Sequence, residues 1–260
     1  MHAAKAAIIR HAAIPWLAAL CIAATSDAAR AAGCRFAPQG EGRVADIIDA
    51  RTFRLQDGRE VRLLGIEPIM GVDAAALVQL IGGRDVTLQG ETDTPDRYGR
   101  QPAFVFLDPA APSVQSQLLA QGAALASPAV AGKDCARELA EAEASARRAK
   151  AGGWRDGHVI KNTESPGDIL ADIGRFALVE GRVLSVRTAG STTYVNFGRN
   201  WTQDFAVTIS RRMMVTLEAA GMVPKSFERR RIRVRGVIEK RGGPRIEVLR
   251  EGQIEVVGDP

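Results

Sequence analysis

From Val44 the chain falls into short runs in which apolar and polar residues alternate, the period of half-buried strands. Val44 to Ile48 is an apolar-rich segment, and Thr52 to Leu55 follows with Phe53 and Leu55 on one face. Asp57-Gly58 is a hairpin turn signal, and Val61 to Ile66 reads as the returning strand. The period then lengthens to that of a helix over Asp73 to Ile81, stopped by Gly82-Gly83. Val86 to Leu88 and Ala103 to Phe106 predict two more strands. Ser113 can cap a helix whose inner side is Val114, Leu118 and Leu119. A second helix runs from Asp134 towards Ala151, with Leu139, Ala142, Ala146 and Ala149 at helical spacing and Gly152-Gly153 as its stop. Trp154 just beyond reads as a core plug.

The second half predicts strands over Ala177–Val186, Thr193–Phe197, Phe205–Ile209, Arg231–Ile238 and Arg245–Val257, with a helix over Ser210–Ala220 closed by Gly221. Five strands with a helix between the third and fourth is the element order of an OB-fold. Between the halves, Asn162 to Gly167 is polar and turn-rich and reads as a linker. The expected organisation is a leader over 1–31, a first domain over 32–161, a linker over 162–175 and a basic OB-like domain over 176–260. The fold class is mainly β, or α+β: a first β domain with three helices, followed by a second small barrel of OB type.

Composition changes this picture at three points. The apolar fraction of 46% argues against wholesale disorder. Lys5 and Arg10 precede an apolar run from Ile14 to Ala24, and Ala29-Arg30-Ala31 supplies small residues for cleavage, the anatomy of a signal peptide. Asp27 and Arg30 separate that run from Cys34, which argues against lipidation of Cys34. Cleavage near Ala31 removes Cys21 and leaves Cys34 and Cys135, an even count that suggests one disulfide in an oxidising compartment. Closing so long a loop restricts the unfolded chain by about 4–5 kcal/mol in the chain-entropy account. The expected location is therefore periplasmic or secreted.

Charge is unevenly placed. Residues 32–174 hold 16 Lys and Arg against 20 Asp and Glu, net −4, while residues 175–260 hold 16 against 9, net +7. Past residue 31 the only histidine is His158, which nearly excludes His-based zinc sites and His-dependent triads. Catalysis would rest on carboxylates, arginines or a bound metal.

Several motifs carry a resemblance. They are Thr52-Phe53-Arg54-Leu55, Asp57-Gly58, Val61-Arg62-Leu63-Leu64-Gly65-Ile66-Glu67, Asp96-Arg97-Tyr98-Gly99-Arg100 and the late Glu141…Ala146-Arg147…Gly153-Trp154. In order and separation they resemble the staphylococcal nuclease (thermonuclease) family over roughly residues 40–155. The resemblance implies an OB-type barrel with three helices and calcium-dependent hydrolysis of DNA and RNA phosphodiesters. In that chemistry a metal and two arginines neutralise charge on the phosphoryl group while a glutamate assists water. It assigns the two arginines to Arg62 and Arg100, and a calcium-binding carboxylate to Glu67. Two departures stand out. The family's Asp-Gly-Asp-Thr reads Asp49-Ala50-Arg51-Thr52, so a calcium ligand is replaced by Arg51. The water-assisting glutamate is matched by Met70, which cannot accept a proton. Asp73 lies nearby as a substitute carboxylate.

The reading drawn from these residues is an exported nuclease-like protein that binds nucleic acid or another phosphate-bearing ligand, with impaired or absent hydrolysis. Arg51, Arg62 and Arg100 would form its anion pocket. One alternative is an active calcium-dependent endonuclease with a metal site rebuilt from Asp49, Glu67 and Asp73; calcium is the expected cofactor only there. Another is an envelope protein-interaction module, which the acidic first domain and the aromatic fraction of 5% favour. The basic second domain pulls towards nucleic acid. On a strand, Arg231, Arg233 and Arg235 share one face, and Tyr194 and Trp201 sit where an OB-fold presents stacking groups. The competing reading is a solvated arginine face balanced by glutamates.

Overall fold

The structure, a computed structural model, describes residues 33–130 and 132–258. The expected leader over 1–31, with Cys21, lies outside the described residues. The first domain runs β1 (Ala37–Asp49), β2 (Thr52–Leu55), β3 (Glu60–Leu63), β4 (Ile66–Pro68), α1 (Ala75–Ile81), β5 (Asp85–Gly90), β6 (Gln101–Phe106), α2 (Val114–Ala120), β7 (Ala124–Ala126) and α3 (Lys133–Arg148). The second runs β8 (Ile160–Asn162), α4 (Pro166–Leu170), β9 (Phe176–Arg182), β10 (Ser185–Ala189), β11 (Thr192–Asn196), β12 (Ala206–Ser210), α5 (Arg211–Ala219), β13 (Arg231–Val237), β14 (Glu239–Arg241), β15 (Gly243–Val248) and β16 (Ile254–Val257).

Five strands close the first barrel in the order β1-β2-β3-β6-β5. β1 makes closure possible because it is long: Ala37–Arg43 pairs with β5 and Val44–Asp49 with β2, with register shifts that bend it round. Its first half escapes a reading by alternation because Gly42 packs by its lack of a side chain; a Cβ there would stand 3.0 Å from Leu55. Phe53, Leu55, Val61, Leu63, Val86, Leu88, Ala103 and Val105 fill the barrel, while Phe104 and Phe106 lie buried on the other face of β6, where Phe104 stacks on Phe36. The run over 61–66 is not one strand. It breaks at Gly65, whose φ of +73° and bare Cα let Leu139 of α3 approach, and β4 then leaves the barrel to pair with β7. Ser113 caps α2 by accepting from the Ser116 amide. The Cys34–Cys135 disulfide ties the chain ahead of β1 to the first turn of α3.

The second domain repeats the pairing logic of the first. β12 and β15 run parallel, as β3 and β6 do, with α5 in the connection, and β9 pairs antiparallel with β13. Its strands form two sheets, β10-β11-β12-β15-β14 and β16-β13-β9-β8, around a core that includes Val195, Phe205, Val207, Ile232, Val234 and Ile246. The predicted strand over 245–257 is two strands, β15 and β16.

Residues 162–175 are not a free tether. β8, which ends at Asn162, joins the second domain's sheet; Pro166 opens α4, and Ile169 is wholly buried in the second core. The turn-rich composition that suggested a linker is a helix start with proline in its first turn. The closed barrel and the two-sheet second domain lie within one compact unit. Ile69, Leu125, Ala146 and Trp154 of the first domain share an apolar cluster with Leu178 of the second.

Candidate functional site

Alternation along β3 puts Val61 and Leu63 in the barrel core and turns Arg62 outward. Register places Arg62 opposite Thr52 on β2, just after the tight turn that carries Arg51. That turn is shaped by Asp49, whose carboxylate accepts from the Arg51 amide at 2.8 Å, and by Arg51 carbonyl accepting from the Leu63 amide at 2.8 Å. β4 then brings Glu67 to the same place. The Arg51 guanidinium donates to one carboxylate oxygen of Glu67, and Arg62 Nη2 stands 3.9 Å from the other.

Arg100 arrives from the loop before β6, and Asp96 builds that loop. One carboxylate oxygen accepts from the amides of Tyr98 and Arg100, at 2.9 and 3.1 Å. The other accepts from Arg100 Nε and Nη2, at 2.9 and 2.7 Å. Burial acts to raise the Asp96 pKa, but the hydrogen bonds from Arg100 and the two amides outweigh it and hold the carboxyl below its usual range. The exposed Tyr98 ring lies 4.9 Å from the Arg100 guanidinium carbon and 4.7 Å from that of Arg97.

Arg62 is the least satisfied member of the group. Its side chain is only 28% exposed, yet it makes no hydrogen bond to the described residues. Burial first, then the charges of Arg51 and Arg100, lower its pKa; Glu67 and Asp96 oppose this. A guanidinium remains protonated through such a shift. Three guanidiniums thus face two carboxylates, and the surplus positive charge lies at Arg62.

Of the residues proposed for a calcium site, Glu67 lies here and a guanidinium already holds it. Asp49 is spent on the turn, and Asp73 accepts from the Ala75 amide at 2.9 Å to start α1. Among the described residues no group of three or more His, Cys, Asp or Glu side chains could hold a metal. Calcium needs six to eight oxygen ligands, so this donor set does not fit it. Met70 is 55% exposed and presents its thioether to Arg175.

The arginine face expected on the second domain is corrected by the structure. Arg233 and Arg235 are buried, and their partners are carboxylates. Arg233 donates to Glu180 at 2.7 and 3.0 Å and to Glu255 at 2.9 Å. Arg235 reaches the first domain, with a bidentate pair to Glu143 of α3 at 2.9 and 3.0 Å and a further bond to the Ala126 carbonyl at 2.7 Å. Arg231 pairs with Glu180 at 3.3 Å. These residues lie on the four-stranded sheet, whereas Tyr194 is on β11 of the other sheet and Trp201, 75% exposed, is in the β11–β12 connection. No shared stacking and phosphate face results.

Sequence reading overlooked Asp96 as the organiser of Arg100, and Glu143, Glu180 and Arg175. Glu143 had a signal: it lies four residues after Leu139 and three before Ala146, on the apolar side of α3, where a carboxylate requires a buried cation.

The family model described as staphylococcal nuclease homologue matches residues 72–156, which includes the Asp96–Arg100 block, α2 and α3 and begins after Arg51, Arg62 and Glu67. The chain carries a staphylococcal-nuclease-like domain there, in a setting that fits nucleic-acid binding. No curated protein matches the chain. No helix among the described residues is long and apolar enough to cross a membrane.

Proposed function

We propose that the first barrel, with its staphylococcal-nuclease-like domain, binds phosphate groups of nucleic acid through arginines and without a metal, and hydrolyses phosphodiesters poorly or not at all. The observation that carries this reading is Arg62: a half-buried guanidinium with no hydrogen-bonded partner among the described residues, crowded by two further guanidiniums. An anion relieves that crowding and accepts the free N–H groups in a forked geometry. Arg100 is positioned for the same ligand, because Asp96 engages Nε and Nη2 and leaves Nη1 free of hydrogen bonds to the described residues. Arg51 stands on Glu67, so a fixed cation takes the part that a metal would otherwise play.

Turnover requires more. In-line attack on phosphorus needs a group to take the proton of water, and Met70 has none to offer. Loss of a general base and loss of a metal each cost about 100-fold or more. Binding therefore survives changes that disable hydrolysis. The disulfide between Cys34 and Cys135 supports export to an oxidising compartment, periplasmic or extracellular.

The test is hydrolysis of single-stranded DNA by the chain from residue 32 onward, with and without millimolar calcium, beside Arg62→Ala and Arg100→Ala. The expected result is no cleavage above the two variants. Calcium-dependent cleavage that both variants lose would replace this reading with an active endonuclease.

A further inference from the structure

Arg175 belongs to the second domain, yet its guanidinium lies on the first, with Nη1 2.8 Å from the Met70 sulfur. A thioether is a weak acceptor and does not neutralise a guanidinium. Among the described residues no carboxylate is within ion-pair distance of Arg175. Its position is nonetheless fixed. The Arg175 amide donates to the Asp172 carbonyl at 2.9 Å, and the Arg175 carbonyl accepts from the Ile238 amide at 2.9 Å. Phe176, the next residue, packs against the apolar cluster that contains Ile69, and Val72 packs against the same cluster, so the chain beside Arg175 and the loop around Met70 share one apolar anchor. Met70 in turn is three residues from Glu67, a separation of about 10–11 Å at full extension. An unpaired cation from the second domain is therefore held within a few nucleotides' reach of the arginine cluster.

We propose that Arg175 is a second phosphate contact, which extends the site across the domain junction so that it recognises a strand of several phosphodiesters in preference to an isolated phosphate. This rests on the phosphate-binding reading above. Along a duplex axis each strand carries one charge per about 3.4 Å, the closest spacing a strand offers, so a span of at most this length covers no more than about three phosphates. The first barrel would then hold one phosphate at Arg62 and Arg100, and the strand would leave the pocket over Met70 towards Arg175. The aliphatic face of Met70 offers the intervening sugar or base an apolar surface.

The experiment compares inorganic phosphate, a mononucleotide and a short single-stranded oligodeoxynucleotide, each titrated over a range of salt into the wild-type chain, Arg175→Ala, Arg175→Lys and Arg62→Ala. For Arg175→Ala, oligonucleotide affinity falls about fivefold at 0.1 M salt and the slope of log K against log salt falls by about 0.7, the loss of one phosphate contact. Phosphate and mononucleotide binding stay unchanged, and Arg175→Lys restores the slope. Two results would overturn the extension alone: oligonucleotide binding untouched in Arg175→Ala while Arg62→Ala loses it, or an equal loss for inorganic phosphate, which would put Arg175 inside the single-phosphate pocket. Full binding of every ligand by Arg62→Ala would overturn the site itself, and this proposal with it.

Discussion

Arg62 on β3 and Arg233 on β13 are both alternate residues on a β-strand, and each sits in a cluster of arginines. In the second domain Glu180 sits directly across the β9–β13 ladder from Arg233, Glu255 sits across the β13–β16 ladder, and Glu143 descends from α3 onto Arg235. Arg233 and Arg235 are 9% exposed, and with Arg147 of α3, which donates to Glu143 at 3.1 Å, four guanidiniums share three carboxylates and each is ion-paired to at least one. In the first barrel two carboxylates face three guanidiniums, and Arg62 makes no hydrogen bond to the described residues. The same side chain thus serves two purposes. Where each guanidinium holds a hydrogen-bonded carboxylate and burial excludes water, it locks domains together; where one does not, it is left to bind an anion.

The largest expected effect breaks the paired set. Truncating one partner of a buried ion pair strands the other charge, so Arg235→Ala should lower unfolding stability by about 3–5 kcal/mol in denaturant melts. Glu143→Ala should do the same, and the double variant should cost less than the sum. A loss under about 1 kcal/mol would deny the interlock.

Breaking the unpaired set should spare stability and remove binding. Arg62→Ala should weaken single-stranded DNA by about tenfold or more, the worth of a charge-assisted contact, with little change in the melt. Arg231→Ala should leave DNA affinity where it is, because that guanidinium already pairs with Glu180. A steep loss of DNA binding there would return the second domain to the interface.

A subtler exchange sharpens the comparison. Arg51→Asp removes the guanidinium from Glu67 and adds a carboxylate beside it. Calcium should then stabilise the variant by about 1 kcal/mol at a few times its Kd, and leave the wild-type melt unmoved. An unresponsive variant would show that Arg51 is not what excludes the metal.

The smallest effect is a titration. The Asp96 carboxyl is depressed in the folded state, so its contribution is complete above the unfolded value, about 3.9, and is lost as pH falls through the lower folded value. Carboxyl chemical shifts followed against pH should place Asp96 below the ordinary range, and Arg100→Ala should move it upward. No upward movement would separate Asp96 from Arg100.

Much of the fold was legible because it is local. The Asp57-Gly58 hairpin, the Ser113 cap and the inward faces of β2 and β3 depend on neighbours a few residues away. The motif blocks singled out Arg62, Arg100 and Glu67, and the structure gathers them with Arg51. What could not be read was pairing over distance. Alternation puts Arg231, Arg233 and Arg235 on one face but is silent on what covers that face; the coverage comes from β9, β16 and α3. The linker reading failed for a related reason. A turn-rich stretch is polar at its ends even when Ile169 within it is buried by strands far along the chain. Arg175 carried no local signal, since its meaning lies in a loop 105 residues earlier.

The most direct test of the central claim is oligonucleotide binding measured with a chelator present. Fluorescence anisotropy of a labelled single strand, with the chain from residue 32 onward in excess EDTA, would be compared with Arg62→Ala and Arg100→Ala. The account predicts salt-sensitive binding that needs no metal and that each variant weakens. Binding that appears only when calcium is restored, or that both variants keep in full, would contradict it.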